Sequence, residues 1–347
     1  MPVKFVNSPV LRLKRLLPKG ATLVKVLFLG ISNLLHPWYD DVLKMAAGRW
    51  SIPLFDRSKP VAPQFQDVDV VIDQGGIHGT HELIDAASYA RVKLWQVLGT
   101  GLDHTDVAYI LKKGIGLANT PGQFSSVALA EHALLLMLLF AKKFFDSQSS
   151  VRNRVMCEPM NEELQGKTLG LLGLGASGRE LAIRAKAIGM RIMAIDVVPI
   201  PQSVQEVCGI VFCGKPGELR RILAESDYLS IHVPLTAATR QMIDEAALSA
   251  MKTSAVIVNV ARGEIIDEAA LVDALKAGRI RGAGLDVFPK EPVDPSHPLL
   301  RLPNVVATPH VAGVTFGTSC RRAQAVIENL ERVSQGLAPL YLVTHAE

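Results

Sequence analysis

Residues 169–178 read LGLLGLGASG, a short apolar run that leads into three glycines with the spacing GxGxxG. The run LGLL is typical of a buried strand, and after the last glycine the apolar residues Leu181, Ala185 and Ile188 recur at helical spacing. The stretch therefore predicts a strand, a tight glycine turn and a helix in succession. Such a succession begins a βαβ unit, which requires a parallel sheet.

Short apolar runs alternate with helical patterns along nearly the whole chain, so we predict an α/β protein with mostly parallel sheets. The first half has strand-like runs at 24–29, 68–72, 94–97 and 114–118, with helical patterns at 83–90 and 106–112. The second series begins at Lys167 and continues through RIMAID, DYLSIHV, AVIVNV, GAGLDVF and NVVATPH. A long Ala/Leu-rich helix at 125–145, expected to bridge the domains, and then a polar, irregular stretch at 146–165 separate the two series. An amphipathic helix at 320–335 follows and is expected to pack on the first domain.

Length and charge narrow the classes of function. A chain of 347 residues is expected to form two domains. Its 37 basic and 33 acidic residues are nearly balanced, which argues against nucleic-acid and membrane partners and favours a small-molecule ligand. The four cysteines lack the spacing of a zinc site and are interpreted as reduced thiols, so we expect a cytoplasmic protein.

The glycine pattern and a later acidic residue together predict a dinucleotide site. Gly173 makes the turn, Gly175 lets the backbone approach a pyrophosphate, and Gly178 allows the helix to pack closely on the strand. The next strand, RIMAID, ends in Asp196, whose carboxylate is expected to bind the adenosine ribose hydroxyls. Because that charge repels a 2′-phosphate and the next residues are Val197 and Val198, we predict NAD rather than NADP.

Three polar residues follow predicted strands and are the candidates for catalysis: Arg262, Glu291 and His310. Together these residue types could supply a cation for a carboxylate and a proton donor for a carbonyl oxygen. Arginine binds a carboxylate in a two-pronged manner, and histidine exchanges protons near neutral pH. A glutamate beside the histidine would orient the ring and favour its imidazolium form. Taken singly, a residue of each of these types is more often an ordinary surface or core side chain than a catalytic one.

The motifs NVARGEIIDEAAL, GAGLDVFPKEP and ATPHVAG, in this order after GLGASG, resemble the D-isomer-specific 2-hydroxyacid dehydrogenase family. The resemblance runs from about 75 to 342 and includes LGTGLDHTD, NTPG, AEHALLLML and HVPLT. It implies hydride transfer between NAD and a small D-2-hydroxy acid, with Arg262, Glu291 and His310 as the catalytic residues. It also implies two doubly wound domains, a Rossmann NAD-binding domain at 123–314 inserted in a flavodoxin-like substrate domain at 1–122 and 315–347, with substrate between them. Homodimers are common in the family.

The resemblance extends to the ligand-binding residues. Gly75, Gly76 and Arg262 are expected to bind the substrate carboxylate, and no metal is expected. The residues expected to line the cofactor are Gly173, Gly175, Ala176, Ser177, Gly178, Asp196, His232, Val233, Pro234, Val260, Ala261, Arg262, Asp286 and His310.

This chain departs from the family's usual pattern at Ala176 and Ser177, where an arginine and a branched apolar residue are usual. The loop at 73–82 has no arginine or lysine, which argues against a phosphorylated substrate. Two alternatives stay open: D-3-phosphoglycerate dehydrogenase, and an NAD(H)-sensing corepressor-like protein of the same fold.

Overall fold

The structure is a computed structural model that describes residues 24–31, 34–75 and 79–344. These residues form two compact units. The first unit contains the described residues up to Thr120 together with those from Cys320 onward, and the second runs from Pro121 to Ser319. Within the described ranges, no helix combines the length and the apolar character needed to cross a membrane.

The first unit is built on a parallel sheet of four short strands in the order β1-β2-β3-β4. The strands are β1 (Val26–Leu29), β2 (Val70–Asp73), β3 (Leu94–Val97) and β4 (Gly116–Ala118). Leu54 forms a parallel bridge with Phe28 on the side of β1 away from β2. The second extended segment of the chain therefore lies outside the first, as in the flavodoxin-like strand order.

Helices cover both faces of this sheet. They are α1 (Trp38–Ala46), α2 (Val61–Gln64), α3 (His81–Tyr89) and α4 (Val107–Lys112), joined by the later helix α12 (Phe316–Ser334). Alternate strand residues point to opposite faces: Val26 and Phe28 pack with α1 and α12, whereas Leu27 and Leu29 pack with α3 and α4. The apolar stripe of α12 is thus buried in the core of the first unit.

The second unit is a seven-stranded parallel sheet in the order β7-β6-β5-β8-β9-β10-β11. Its strands are β5 (Thr168–Leu172), β6 (Arg191–Ile195), β7 (Ile210–Gly214), β8 (Tyr228–Ile231), β9 (Val256–Asn259), β10 (Gly282–Leu285) and β11 (Val305–Ala307). From β5 the chain adds β6 and β7 on one side and then crosses to the other side of β5, where it adds β8 to β11. The point between β5 and β8 is therefore the topological switch point of a Rossmann fold. The predicted α/β class with doubly wound parallel sheets is confirmed.

The second unit has seven α-helices: α5 (Ser126–Ala141), α6 (Phe144–Arg152), α7 (Ala176–Ala187), α8 (Gln202–Cys208), α9 (Leu219–Glu225), α10 (Glu245–Ser249) and α11 (Glu268–Lys276). Two glycines of β10 let α5 approach the sheet. A Cβ atom on Gly282 would lie 2.4 Å from the ring of Phe140, and one on Gly284 would lie 3.0 Å from Leu136 Cβ. The motif GAGLDVF therefore uses its glycines for packing against α5.

Two local expectations differ from the structure. The long helix expected at 125–145 ends at Ala141, and Lys143, at φ +41°, separates it from α6, which extends into the stretch expected to be irregular. Strand β7 was not predicted. It is a partly buried edge strand that begins directly after the left-handed Gly209, so its apolar run is short and its burial signal is weak.

Candidate active site

Six neighbouring strands of the second unit end at the same level, so that their carboxyl ends lie side by side. Their paired last residues are Ile195, Leu172, Ile231, Asn259, Leu285 and Ala307. The next residue of each strand therefore lies at the same edge of the sheet: Asp196, Gly173, His232, Val260, Asp286 and Thr308. Parallel α/β sheets place their ligand crevice at this edge. The residues predicted to bind cofactor thus lie on or directly after these strand ends.

The glycine turn after β5 has the close contacts that its sequence predicts. Gly173 has φ +93°, and a Cβ atom there would lie 3.0 Å from the carbonyl oxygen of His232. A Cβ atom on Gly178 would lie 2.2 Å from the Gly173 oxygen, so the first turn of α7 requires glycine there. Gly175 is exposed and has open space around its missing Cβ. This cradle at a helix N-terminus fits a dinucleotide pyrophosphate.

Asp196 is held in place by the backbone on both sides. Its Oδ2 accepts a hydrogen bond from Leu174 N at 2.7 Å, and its Oδ1 accepts one from Val198 N at 3.0 Å. The side chain is only half-buried, so the carboxylate is fixed next to the glycine turn and remains accessible. An accessible carboxylate at this position suits a ribose with free hydroxyls.

His232 lies between two serine hydroxyls. Its Nδ1 is 3.0 Å from Ser177 Oγ and its Nε2 is 2.9 Å from Ser230 Oγ. Burial lowers the pKa of His232 to about 4, so the ring is neutral at neutral pH. A neutral ring has one donor and one acceptor nitrogen, and hydroxyls can complement both. Ser177, one of the departures from the family pattern, thus has a hydrogen-bond partner in this chain.

The loop that carries His310 is anchored on the buried carboxylate of Asp286, which is 1% exposed. This carboxylate accepts hydrogen bonds from Thr308 Oγ1 at 2.6 Å, Val311 N at 2.8 Å and Ala312 N at 2.8 Å. His310 itself has φ +54°, a backbone conformation that residues other than glycine rarely adopt, and its backbone N–H donates to Asp286 O at 2.8 Å. These hydrogen bonds therefore hold the His310 backbone in a conformation that it would otherwise rarely adopt.

His132 of α5 supports the same loop. Its Nε2 lies 2.9 Å from Thr308 Oγ1 and 3.5 Å from Asp286 Oδ1. The helix that packs on β10 thereby reaches the anchor of His310. His132 therefore has a structural position under the loop.

Glu291 and His310 form a close pair, with 2.6 Å between Glu291 Oε2 and His310 Nδ1. The other carboxylate oxygen of Glu291 accepts a hydrogen bond from Phe288 N at 2.9 Å. Burial alone would raise the pKa of Glu291, but these two hydrogen bonds and the charges of His310 and Arg262 hold it below its usual value. Glu291 is therefore an anion that orients the imidazole ring through Nδ1.

Arg262 follows β9 on a loop braced by Asn259. The Asn259 side chain donates to Arg262 O at 2.8 Å and accepts from Ala261 N at 3.0 Å. A Cβ atom on the next residue, Gly263, would lie 2.1 Å from the carbonyl carbon of Phe288. The backbones that lead to Arg262 and to Glu291 are thus in direct contact, and only glycine permits it.

The structure describes one of the two glycines predicted to bind a substrate carboxylate. Gly75 follows β2 in the first unit and has φ +152°, whereas Gly76 lies outside the described residues. Among the residues that are described, no three His, Cys, Asp or Glu side chains gather as a metal site would need.

Sequence reasoning missed several residues that support the site: Asn259, Gly263, Thr308 and Ser230. A usable signal existed for Asn259 and Ser230, since both are polar residues inside buried strands. For Thr308 the signal was its place one residue after a strand.

Residues 134–312 match the model of the NAD-binding domain of the D-isomer specific 2-hydroxyacid dehydrogenases. The chain belongs to this family. It is 39% identical over 268 residues to a glyoxylate reductase of Korarchaeum cryptofilum, an alignment that covers 76% of this chain and 78% of the relative. As a member of the D-2-hydroxyacid dehydrogenases it is an NAD-dependent oxidoreductase, which confirms the predicted family, enzyme class and cofactor.

Other members differ in length and in cofactor. A D-3-phosphoglycerate dehydrogenase of Methanocaldococcus jannaschii is 35% identical over 304 residues, which is 86% of this chain but only 56% of that relative. This chain therefore spans little more than half of that dehydrogenase. Among solved structures, an NADPH-dependent glyoxylate/hydroxypyruvate reductase of Sinorhizobium meliloti, in complex with NADP and malonate, superposes with a TM-score of 0.78 at 30% identity. That match covers 93% of this chain and 97% of the other.

Proposed function

We propose that this 2-hydroxyacid dehydrogenase interconverts a small D-2-hydroxy acid and its 2-oxo acid with His310, Glu291 and Arg262 as its catalytic residues. The observation that carries the proposal is the 2.6 Å pair of Glu291 and His310, with the charge of Arg262 close enough to lower the pKa of Glu291. A proton-exchanging ring, a carboxylate that orients it and a cation together meet the needs of carbonyl reduction.

His310 is the proposed acid and base. The Nδ1–H of His310 donates its hydrogen bond to Glu291. The other ring nitrogen, Nε2, is therefore available to give a proton to the carbonyl oxygen or to take one from the hydroxyl. The carboxylate of Glu291 balances the positive charge of the protonated ring. About half of the His310 side chain is exposed, at 49%, so the ring is open to a ligand.

Arg262 is proposed to bind the substrate carboxylate and to polarise the carbonyl, assisted by the backbone of Gly75 and Gly76. A guanidinium presents paired donors that match a carboxylate. The contact of Gly263 with the Phe288 backbone keeps the loops of Arg262 and Glu291 together, so the cation and the acid-base pair act on one ligand.

NAD supplies the hydride acceptor for oxidation and, as NADH, the hydride donor for reduction. Residues of the glycine turn, Gly173 to Gly178, would hold its pyrophosphate, and Asp196 would hold the ribose. We propose that NAD is preferred over NADP because the Asp196 carboxylate is fixed by two backbone N–H groups and cannot turn away from a 2′-phosphate. His232, Val233, Pro234, Val260, Ala261 and Asp286 would line the rest of the cofactor.

We also propose the remaining features predicted by the resemblance: residues 123–314 as the NAD-binding domain, 1–122 and 315–347 as the substrate domain, a cytoplasmic location and a homodimer. The dimer proposal rests on eight large apolar side chains between 135 and 160 that are at least 36% exposed: Leu135, Leu138, Phe144, Phe145, Val151, Val155, Met156 and Met160. Apolar surface of this extent favours burial against a second copy.

A panel of 2-oxo acids, offered with NADH to the purified protein and followed by loss of NADH absorbance, tests the proposed function. We expect turnover of at least one of glyoxylate, hydroxypyruvate and the branched 2-oxo acids. Turnover of 3-phosphohydroxypyruvate alone would favour a phosphoglycerate dehydrogenase. Tight NADH binding without any turnover, together with a co-purifying protein, would favour the corepressor-like sensor.

A further inference from the structure

The first unit contains a guanidinium that the proposed mechanism does not use. Arg322 lies on α12, and its Cζ is 5.4 Å from the centre of the Trp38 ring, a buried residue of α1. Its two terminal nitrogens approach the loop after β3: Nη1 is 3.5 Å from Leu98 O and Nη2 is 3.4 Å from Thr100 Oγ1. The side chain thus lies at the carboxyl edge of the first sheet.

These contacts leave most of the hydrogen-bonding capacity of Arg322 unused. Both distances lie at the long limit for a hydrogen bond, and the buried Nε has no hydrogen-bond partner among the described residues. A guanidinium has five N–H donors, and a buried donor without an acceptor is costly. Arg322 therefore retains N–H donors that no acceptor among the described residues satisfies.

The charge of Arg322 is offset by the face of the Trp38 ring rather than by a carboxylate. Within the described part of the chain no carboxylate lies within ion-pair distance of it, and the neighbouring charge that acts on it is the like charge of Arg321. Burial, with this repulsion, lowers the pKa of Arg322 to about 10, so the group is still a cation at neutral pH. A partly buried cation without a counter-ion is unfavourable unless an anion binds to it.

The loop that Arg322 contacts also approaches Gly75, which is proposed to bind the substrate carboxylate. A Cβ atom on Gly99, the residue between Leu98 and Thr100, would lie 3.5 Å from Gly75 Cα. Thr100 is exposed, so the nitrogen of Arg322 that reaches it is near solvent. The loop after β3 thereby connects Gly75 on one side with Arg322 on the other.

We infer that Arg322 forms a subsite for a second anionic group of the substrate, so that 2-oxo acids with a distal carboxylate or phosphate are preferred over uncharged ones of equal length. The inference rests on the proposed function and adds the substrate class. The shared chemistry is an oxyanion that accepts hydrogen bonds from the unused N–H donors of Arg322, while the carboxylate next to the carbonyl is bound as proposed above.

Matched substrates test the subsite directly. We would measure kcat/KM for 2-oxoglutarate against 2-oxovalerate, and for oxaloacetate against 2-oxobutyrate, since the members of each pair have equal chain lengths. A third arm with 3-phosphohydroxypyruvate against hydroxypyruvate distinguishes a distal phosphate from a distal carboxylate. The wild type should favour the charged member of at least one pair about tenfold or more.

Substitution of Arg322 should remove this preference. We expect Arg322→Met to lower the ratio of kcat/KM for the charged over the uncharged member about tenfold or more, to near one, and Arg322→Lys to lower it less because a point charge remains. Arg332→Met, which removes an arginine from the same helix, is the matched control and should keep the ratio. The melting temperature of Arg322→Met should not fall, since the substitution removes an unpaired cation.

An unchanged ratio in Arg322→Met would overturn the inference. If kcat/KM fell equally for both members of a pair, Arg322 would be assigned instead to the carboxylate that both members share. If the wild type reduced no 2-oxo acid, the proposed function would fail, and binding would still test the subsite. Glutarate should then raise the melting temperature of the wild type more than valerate does, and Arg322→Met should abolish that difference. A wild type that did not distinguish glutarate from valerate would refute the subsite itself.

Discussion

The anchoring of the His310 loop on Asp286 leads to a prediction with a definite magnitude. Asp286→Asn replaces one acceptor oxygen by an NH₂ group inside a site that presents three donors: Thr308 Oγ1, Val311 N and Ala312 N. In the less costly orientation the amide nitrogen faces Ala312 N, so one hydrogen bond is lost and two donors oppose each other. The other orientation would lose two hydrogen bonds.

The cost follows from the strength of hydrogen bonds to charged groups. Loss of one such bond costs about 1.5–3 kcal/mol, and each of the two remaining bonds weakens by about 1 kcal/mol when its acceptor becomes neutral. The loop at 308–312 is therefore destabilised by about 3–5 kcal/mol. If about 3 kcal/mol of this must be regained to place His310 for reaction, kcat falls about 100-fold.

Steady-state kinetics with the best 2-oxo acid and NADH binding by fluorescence quenching provide the assay. Thr308→Val removes one bond of the anchor without touching the carboxylate, and we expect it to lower kcat about tenfold with little change in the Kd for NADH. Asp294→Asn, at an exposed aspartate that caps its own turn, is the control. The reasoning is refuted if Thr308→Val keeps full kcat and Asp286→Asn changes only the Kd for NADH, because Asp286 would then contribute through the cofactor alone and the loop anchor would have no effect on the reaction.

Three further predictions concern the cofactor edge and the loop contact. Since burial lowers the pKa of His232 to about 4 from a reference value of 6.5, the unfolded state takes up its proton first. The free energy of unfolding should therefore fall by roughly 2 kcal/mol as the pH is lowered from 6.5 to about 4, a figure reduced for the partial exposure of the ring. His232→Gln should flatten that part of a denaturant-derived stability profile, and an unaltered profile would exclude this histidine as its source. Asp196→Ser should raise kcat/KM for NADPH relative to NADH at least tenfold; a constant ratio would show that Asp196 does not select the cofactor. Gly263→Ala should lower the melting temperature and kcat together, because its Cβ would lie 2.1 Å from the Phe288 backbone; wild-type values for both would show that this contact can relax freely.

The parts of the fold that sequence could predict are those with a local signal. The glycine turn after β5 and Asp196 belong to one βαβ unit, and their roles depend on residues close in the chain. The candidates Arg262, Glu291 and His310 could be placed because each follows a buried run, and parallel strands bring their carboxyl ends together. The family resemblance, rather than any local pattern, selected them from other polar residues.

The parts that could not be predicted depend on contacts between distant segments. His132 contacts Thr308 across 176 positions of the chain, and Arg322 contacts Leu98 across 224. The amphipathic pattern of the last helix indicated its apolar face, which α12 buries through Val326 and Leu330. It carried no information on what Arg322 would contact. The edge strand β7 has only a short run and a half-buried surface, so its pattern was too weak to predict.

The central claim is that His310 exchanges the proton in the reaction, and His310→Asn tests it most directly. We predict a loss in kcat of about 1000-fold with a Kd for NADH within about threefold of wild type, since general acid-base catalysis is removed and the cofactor cradle is not. His297→Asn is the matched control, because His297 also pairs with a glutamate, Glu268, at 3.0 Å in the same unit and has no proposed role in the reaction. A His310→Asn enzyme that retained kcat within tenfold of wild type would contradict the account.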